Sequence, residues 1–153
     1  MSLSSVPSTN IIARLGEGDP AMLLHSPQSG GELRHQLETF VHQQFADVYG
    51  ADVREFMPEL LGICQQGTLQ ASVGLRGGAS DQLFLEHYLD QPVCQTLQRH
   101  TDLPVVREQL VEVGNLAALA PGAGRLLIIA LTHFLAASGY TWVVFTGTPM
   151  LLN

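Results

Sequence analysis

Apolar residues at Leu33, Leu37, Phe40, Val41, Phe45 and Val48 fall at spacings of three and four. That period gathers them on one face and predicts an amphipathic helix over 32–49, with Gly50 where a C-terminal cap belongs. Two short apolar stretches precede it, 11–15 and 21–25, and either suits a first strand; "SPQSGG" (26–31) reads as a turn. "FMPELLGICQ" (56–65) is an apolar run with Pro58 near its start, where a strand tolerates proline. "TLQASVGLRG" (68–77) follows the "QQG" turn as its hairpin partner, and Gly74 marks a bulge or a close backbone approach. Residues 81–92 suit a strand or a helix, and Pro92 opens a short helix to about His100. Residues 107–117 read as a strand centred on Val111 and Val113. The segment "GAGRLLIIALTHFLAASG" is a helix apolar on most sides, to be buried against a sheet and stopped at Gly139. "YTWVVFTGT" (140–148), β-branched and aromatic, is a final buried strand. This order predicts one α/β or α+β domain over 1–153, built on one sheet, with the Ser-, Pro- and Asn-rich residues 1–10 frayed.

Composition narrows the partners. Apolar residues make up 46% and charged ones 14% of 153, enough to bury a core. The net charge is −7, all seven basic residues are arginine, and there is no lysine. Phosphate neutralisation and anionic-lipid docking both need basic clusters, so nucleic acid is excluded and a membrane surface is disfavoured. The most apolar helical run, 126–137, is about 12 residues where a span needs roughly 20, and no secretory signal is visible, so a cytoplasmic protein is expected. Cys64 and Cys94 lack CxxC spacing and read as reduced thiols. His35 and His42 are seven residues apart on one helix, about 10 Å along its axis, so they do not chelate one metal unaided. Glu38 and His42 are i,i+4 neighbours on a solvated face, and His133 reads as a core or interface histidine. No metal site and no hydrolase triad are expected.

The chemistry-bearing stretch is "EVGNLAALAPGAGRLL" (112–127), a strand that enters a helix through a glycine turn. The first amides of a helix lack internal acceptors, and its dipole adds positive potential, so such a junction can hold an anion. Gly122, Ala123, Gly124, Arg125 and Leu126 would present those amides. The glycines would permit close approach and positive φ, and Arg125 adds a charge-assisted donor. The GxxxxGK phosphate loop cannot occur without lysine, and GxGxxG is absent. A purely structural strand-to-helix turn is the plain alternative.

Residues 107–148 resemble the central region of the GNAT acyltransferase superfamily. There a strand is followed by Gln or Arg, two residues, Gly, one residue, then Gly or Ala, and a long helix. Leu119 stands at the Gln/Arg position. Four blocks, "YGADVREFMPELLG" (49–62), "LFLEHYLDQPV" (83–93), "VEVGNLAALAPGAGRLL" (111–127) and "GYTWVVFTGTPMLLN" (139–153), resemble the thermostable hemolysin family, itself placed near GNAT and the acyl-homoserine-lactone synthases. The resemblance implies a three-layer α+β fold, a GNAT-like mixed central sheet with helices on both faces. It implies an acyl donor, acyl-CoA (coenzyme A) or an acyl carrier protein's pantetheine, and an amine acceptor. The pantetheine arm would lie where strands 109–117 and 140–147 splay apart, pairing with the backbone of Asn115, Leu116 and Ala117. The pyrophosphate would sit at 122–126. Glu112 would be the general base, its alternative being a carboxylate paired with Arg107 or Arg76. Asn115 would satisfy backbone groups at the splay or cap a turn. The GNAT layout continues beyond the point where this chain stops, so a C-terminal helix and strands are expected to be missing. The 140–147 edge would then be exposed to a homo-oligomer partner. Besides the N-acyltransferase, a non-catalytic donor-site module and a membrane-active hemolysin remain as alternatives.

Overall fold

A computed structural model describes residues 11–15, 22–25, 31–79 and 82–146, with side chains of the first two segments described only for Arg14 and Leu15. The fraying expected of 1–10, and the end of the last strand beyond 146, lie outside the described residues.

Gln66 (φ 52°) and Gly67 (φ 72°) close the two-residue turn between β3 (Glu59–Gln65) and β4 (Thr68–Gly77). Two successive positive φ values give a turn whose twist matches that of paired strands. Around this hairpin lie β1 (Ile11–Leu15), β2 (Met22–His25), β5 (Leu110–Ala118) and β6 (Trp142–Phe145), so both early apolar stretches are strands. The six strands pair in chain order, antiparallel throughout except for parallel β5 and β6. The helices are α1 (Glu32–Tyr49), α2 (Val93–Gln98) and α3 (Pro121–Ala137). Gly50 ends α1 in the left-handed region (φ 64°), its amide returning to the Ala46 carbonyl.

Strand alternation distributes the core over two faces. Leu60, Cys64, Leu69 and Ala117 meet Leu37 and Phe40 of α1. Leu61, Ile63, Val73 and Val111 meet Leu127, Leu131 and Leu135 of α3. The result is a mixed sheet with helices on both sides. Gly62 lets α1 rest on bare backbone: a Cβ there would lie 2.6 Å from a Leu37 methyl. Leu83, Val93, Leu110 and Val144 form a third cluster with Trp142 and Leu97, covering the β5–β6 end.

Several expectations shift. β3 starts at Glu59 rather than 56, because Pro58 has no N–H to give the ladder and the Met57 amide is used elsewhere. The ambiguous segment 81–92 contains a 3-10 turn, Phe84–Tyr88, and β5 is preceded by another, Arg107–Gln109. The last strand is not buried throughout. Alternation turns Val144 inward and leaves Val143 and Phe145 about half exposed, at 49% and 58%. Ile128, Ile129 and His133 of α3 are exposed too, so His133 is not a core residue. Glu38 pairs with Arg34 (3.0 Å) rather than with His42, whose Nδ1 lies 2.7 Å from the Val53 carbonyl.

Candidate functional site

The site grows from an irregularity in β5. Ser72 pairs with Ala117 and Gly74 with Gly114, so Val73 alone faces two residues, Asn115 and Leu116. This is a β-bulge, and Asn115 takes the left-handed conformation (φ 51°) that asparagine tolerates better than most side chains. Its Oδ1 accepts the Met57 amide at 2.8 Å, so Asn115 satisfies backbone at the irregularity instead of capping a turn. Gly74 and Gly114, paired across the bulge, form a spot without side chains, and Met57 lies on it. A Cβ on Gly74 would fall 2.6 Å from Met57 Cβ, and one on Gly114 2.5 Å from Met57 Cε. Gly74 thus marks a close approach beside a bulge. Arg34 of α1 holds this loop by donating to the carbonyls of Met57 (2.8 Å) and Pro58 (3.1 Å).

The bulge coincides with the end of the described β5–β6 pairing. β5 and β6 pair from Leu110–Trp142 to Val113–Phe145. Beyond that, residues 114–118 face no strand on this side among the described residues. This edge leads into α3. Ala120 caps the helix without a side-chain hydrogen bond, and Pro121 occupies its first turn. The Ala120 carbonyl takes the amides of both Ala123 (3.1 Å) and Gly124 (3.2 Å), leaving Gly122 N–H without a hydrogen-bond partner among the described residues. Arg125 and Leu126 stand inside the helix, where amides turn back on the preceding turn. Fewer amides face outward than the sequence implied. Neither Gly122 nor Gly124 has positive φ, so the glycines serve proximity instead. A Cβ on Gly122 would meet open space, and one on Gly124 would lie 3.4 Å from Ala118 Cβ.

A cleft of about 330 Å³ lies over this junction, between the end of α1 (Gln44, Phe45, Val48, Tyr49) and residues 116–121 with Gly124. Leu116, Leu119, Val48 and Tyr49 expose apolar surface, and no charged side chain lines the cleft. Arg125 is exposed, the fifth residue of α3 and outside the lining. The structure therefore brings together Leu116, Ala117 and Gly124 in one wall. Asn115 lies behind it at the bulge, and Gly122, Ala123, Arg125 and Leu126 belong to the helix start.

Glu112 stands apart from this cleft. It is 1% exposed, on the sheet face that carries the third core cluster. Its Oε1 accepts the Phe84 amide (3.0 Å) and its Oε2 the Leu85 amide (2.8 Å). A carboxylate thus fills the anion position at the start of the 3-10 turn. Arg76 stands opposite Glu112 in the β4–β5 ladder, but among the described residues neither it nor Arg107 forms an ion pair with this carboxylate.

Arg107 instead grips Glu86, each terminal nitrogen 2.9 Å from a carboxylate oxygen. Glu86 also accepts the amides of Leu83 and Val93, both at 2.9 Å, and Arg107 Nε donates to the Gly78 carbonyl at 2.7 Å. The Arg107 hydrogen bonds hold the Glu86 carboxyl far below its ordinary range, to about 2, against the opposing effect of burial. The pair lies in the wall of an open, polar depression of about 550 Å³. Sequence reasoning missed Glu86. Its one signal was a glutamate three residues after the first residue of a turn, reaching back to that residue's amide, with leucine in place of the usual serine or threonine. Burial pushes the Cys64 thiol up to about 11, so this free cysteine is no nucleophile at neutral pH. Among the described residues no three His, Cys, Asp or Glu side chains converge as a metal site, and no helix is long and apolar enough to cross a membrane.

Fold and site define a mixed α/β protein with a cleft where a strand edge meets a helix start. The chain belongs to the thermostable hemolysin family, whose profile matches residues 28–153. No curated protein and no solved structure matches it.

Proposed function

We propose that the cleft binds the pantetheine arm of an acyl donor, acyl-coenzyme A or an acyl carrier protein, in a GNAT-like N-acyltransferase. The observation that carries this reading is the β6-side edge of β5 at 114–118, which faces no strand among the described residues and runs directly into the α3 N-terminus. An extended amide-bearing arm adds to such an edge as a further strand does, through main-chain hydrogen bonds. The apolar walls at Leu116, Leu119 and Tyr49 suit its aliphatic parts. The Gly122 amide, the α3 dipole and Arg125 are the groups for its phosphates. The GNAT resemblance of residues 107–148 supports the same donor. In the transfer, an amine nitrogen bonds to the thioester carbonyl carbon, the C–S bond breaks, the amine loses a proton and the departing sulfur ends as a thiol.

Binding without turnover is the second reading, favoured by Glu112. Both of its oxygens are engaged by backbone amides away from the cleft, so it holds a turn and does not face an acceptor.

Coenzyme A at a hundred times its dissociation constant adds about 2.7 kcal/mol of stability. For a domain of this size that corresponds to a thermal shift of roughly 5–10 °C. Gly124→Asp sets a carboxylate in the cleft wall and removes the shift. The comparison is a thermal-shift and calorimetric titration with coenzyme A and acetyl-coenzyme A, and an undiminished shift in the variant would discard the phosphate site at 122–126. A panel of amines, read by release of free thiol, separates the enzyme from the binding module.

A further inference from the structure

The Gly74–Gly114 pair leaves a trough across two neighbouring strands, and one unbranched side chain fills it. The trough sits at the first β5 residue past the last described β5–β6 pair, at the inner end of the edge that faces no described strand. Met57 is only half-buried, whereas the side chains around a packed core are closed off. Its backbone is fixed at both ends of the residue, the amide by Asn115 Oδ1 and the carbonyl by Arg34. The side chain is therefore a flexible group on an immobile mount, lying where no neighbour presents a Cβ.

Resting on the donor-site reading above, we propose that Met57 is a specificity-determining residue that sets how long an acyl chain the site accepts. In this arrangement the thioester end of the donor reaches the last described β5–β6 pair, and the acyl group continues onto the glycine trough in competition with the Met57 thioether. Two glycines facing each other across strands are otherwise unfavourable in a sheet, which loses packing and backbone order at each. A narrow channel for a linear apolar chain accounts for both of them and for an unbranched occupant. The substrate class is then a short-chain acyl thioester for the native protein, and a longer one once the occupant is trimmed.

The test is calorimetric titration of the native chain, Met57→Ala and Met57→Leu with free coenzyme A, acetyl-coenzyme A, octanoyl-coenzyme A and an octanoyl acyl carrier protein. Removing the thioether opens room for about three methylenes, so Met57→Ala tightens octanoyl-coenzyme A about fiftyfold and leaves free and acetyl-coenzyme A unchanged. Met57→Leu, of similar volume, keeps the native order of affinities. Free coenzyme A binding in all three proteins, with no selective gain for octanoyl-coenzyme A in Met57→Ala, overturns the role of Met57 and leaves the donor site standing. No binding of free coenzyme A or of an octanoyl acyl carrier protein to the native chain overturns both. If Met57→Ala does not fold, Met57→Val, which also shortens the side chain, is read by the same comparison and the same two outcomes.

Discussion

Replacing Glu112 by alanine will cost about 4 kcal/mol of folding stability and lower the melting temperature by roughly 10 °C. The carboxylate is 1% exposed and is, among the described residues, the only acceptor of the Phe84 and Leu85 amides. Each of these part-buried amides, left without an acceptor, costs about 1–2 kcal/mol, and the lost side-chain volume adds a cavity on the face of Leu110 and Leu83. Glu112→Gln keeps the shape and one acceptor but turns an NH2 group toward a backbone N–H, so its loss is smaller, about 2 kcal/mol. Urea denaturation of the three proteins checks the order. A Glu112→Gln variant as stable as the native protein, yet devoid of amine acylation, would return this carboxylate to the role of base.

The second large effect depends on pH. Glu86 is held at about 2 in the folded protein against an ordinary 4.5, first by the Arg107 hydrogen bonds, then by the Leu83 and Val93 amides, with burial opposing. A folded-state value below the unfolded one means that the unfolded chain takes up the proton first as pH falls. The contribution is therefore complete above about 4.5 and drains away as pH descends through 2. The shift corresponds to about 3 kcal/mol. Glu86 is 8% exposed, so solvent screens little of it. Denaturation of the native protein and Glu86→Gln at pH 7, 5, 3 and 2 should show a gap that narrows by about 3 kcal/mol toward the acid end. Parallel curves would show that the pair contributes no proton-linked stability.

Much of this fold could be read before any coordinates. The three-and-four spacing of α1 had one interpretation, because its apolar face is continuous and Gly50 follows it. The β3–β4 hairpin and the strand–glycine–helix passage were equally plain, since each is a local signal. The site was legible as a place and less so as a mechanism. Leu116, Ala117 and Gly124 do share a wall, but the arithmetic of free amides was misjudged: a single carbonyl, that of Ala120, absorbs two of them. Glu112 was recognised as a buried acid, and its partners were sought among arginines. They are backbone amides 27 and 28 residues earlier, contributed by a segment whose own conformation was ambiguous. Met57 and Glu86 gave still less away. Their significance comes from neighbours brought in by the sheet, Gly114 and Arg107, that lie 57 and 21 positions along the chain.

The order of the strands has a consequence for how the protein is made. Every strand neighbours the one before it in the chain, and the last joins through a single helical crossover. No early strand has to keep a gap open for a later one. A ribosome releasing the chain from its N-terminus can therefore extend the sheet one edge at a time, each new strand joining the edge made just before it. The 3-10 turn at Phe84–Tyr88 is the exception, because its amides have no carboxylate until Glu112 emerges. Over that interval, 24 residues from Tyr88 to Glu112, the turn is made but its carboxylate is not.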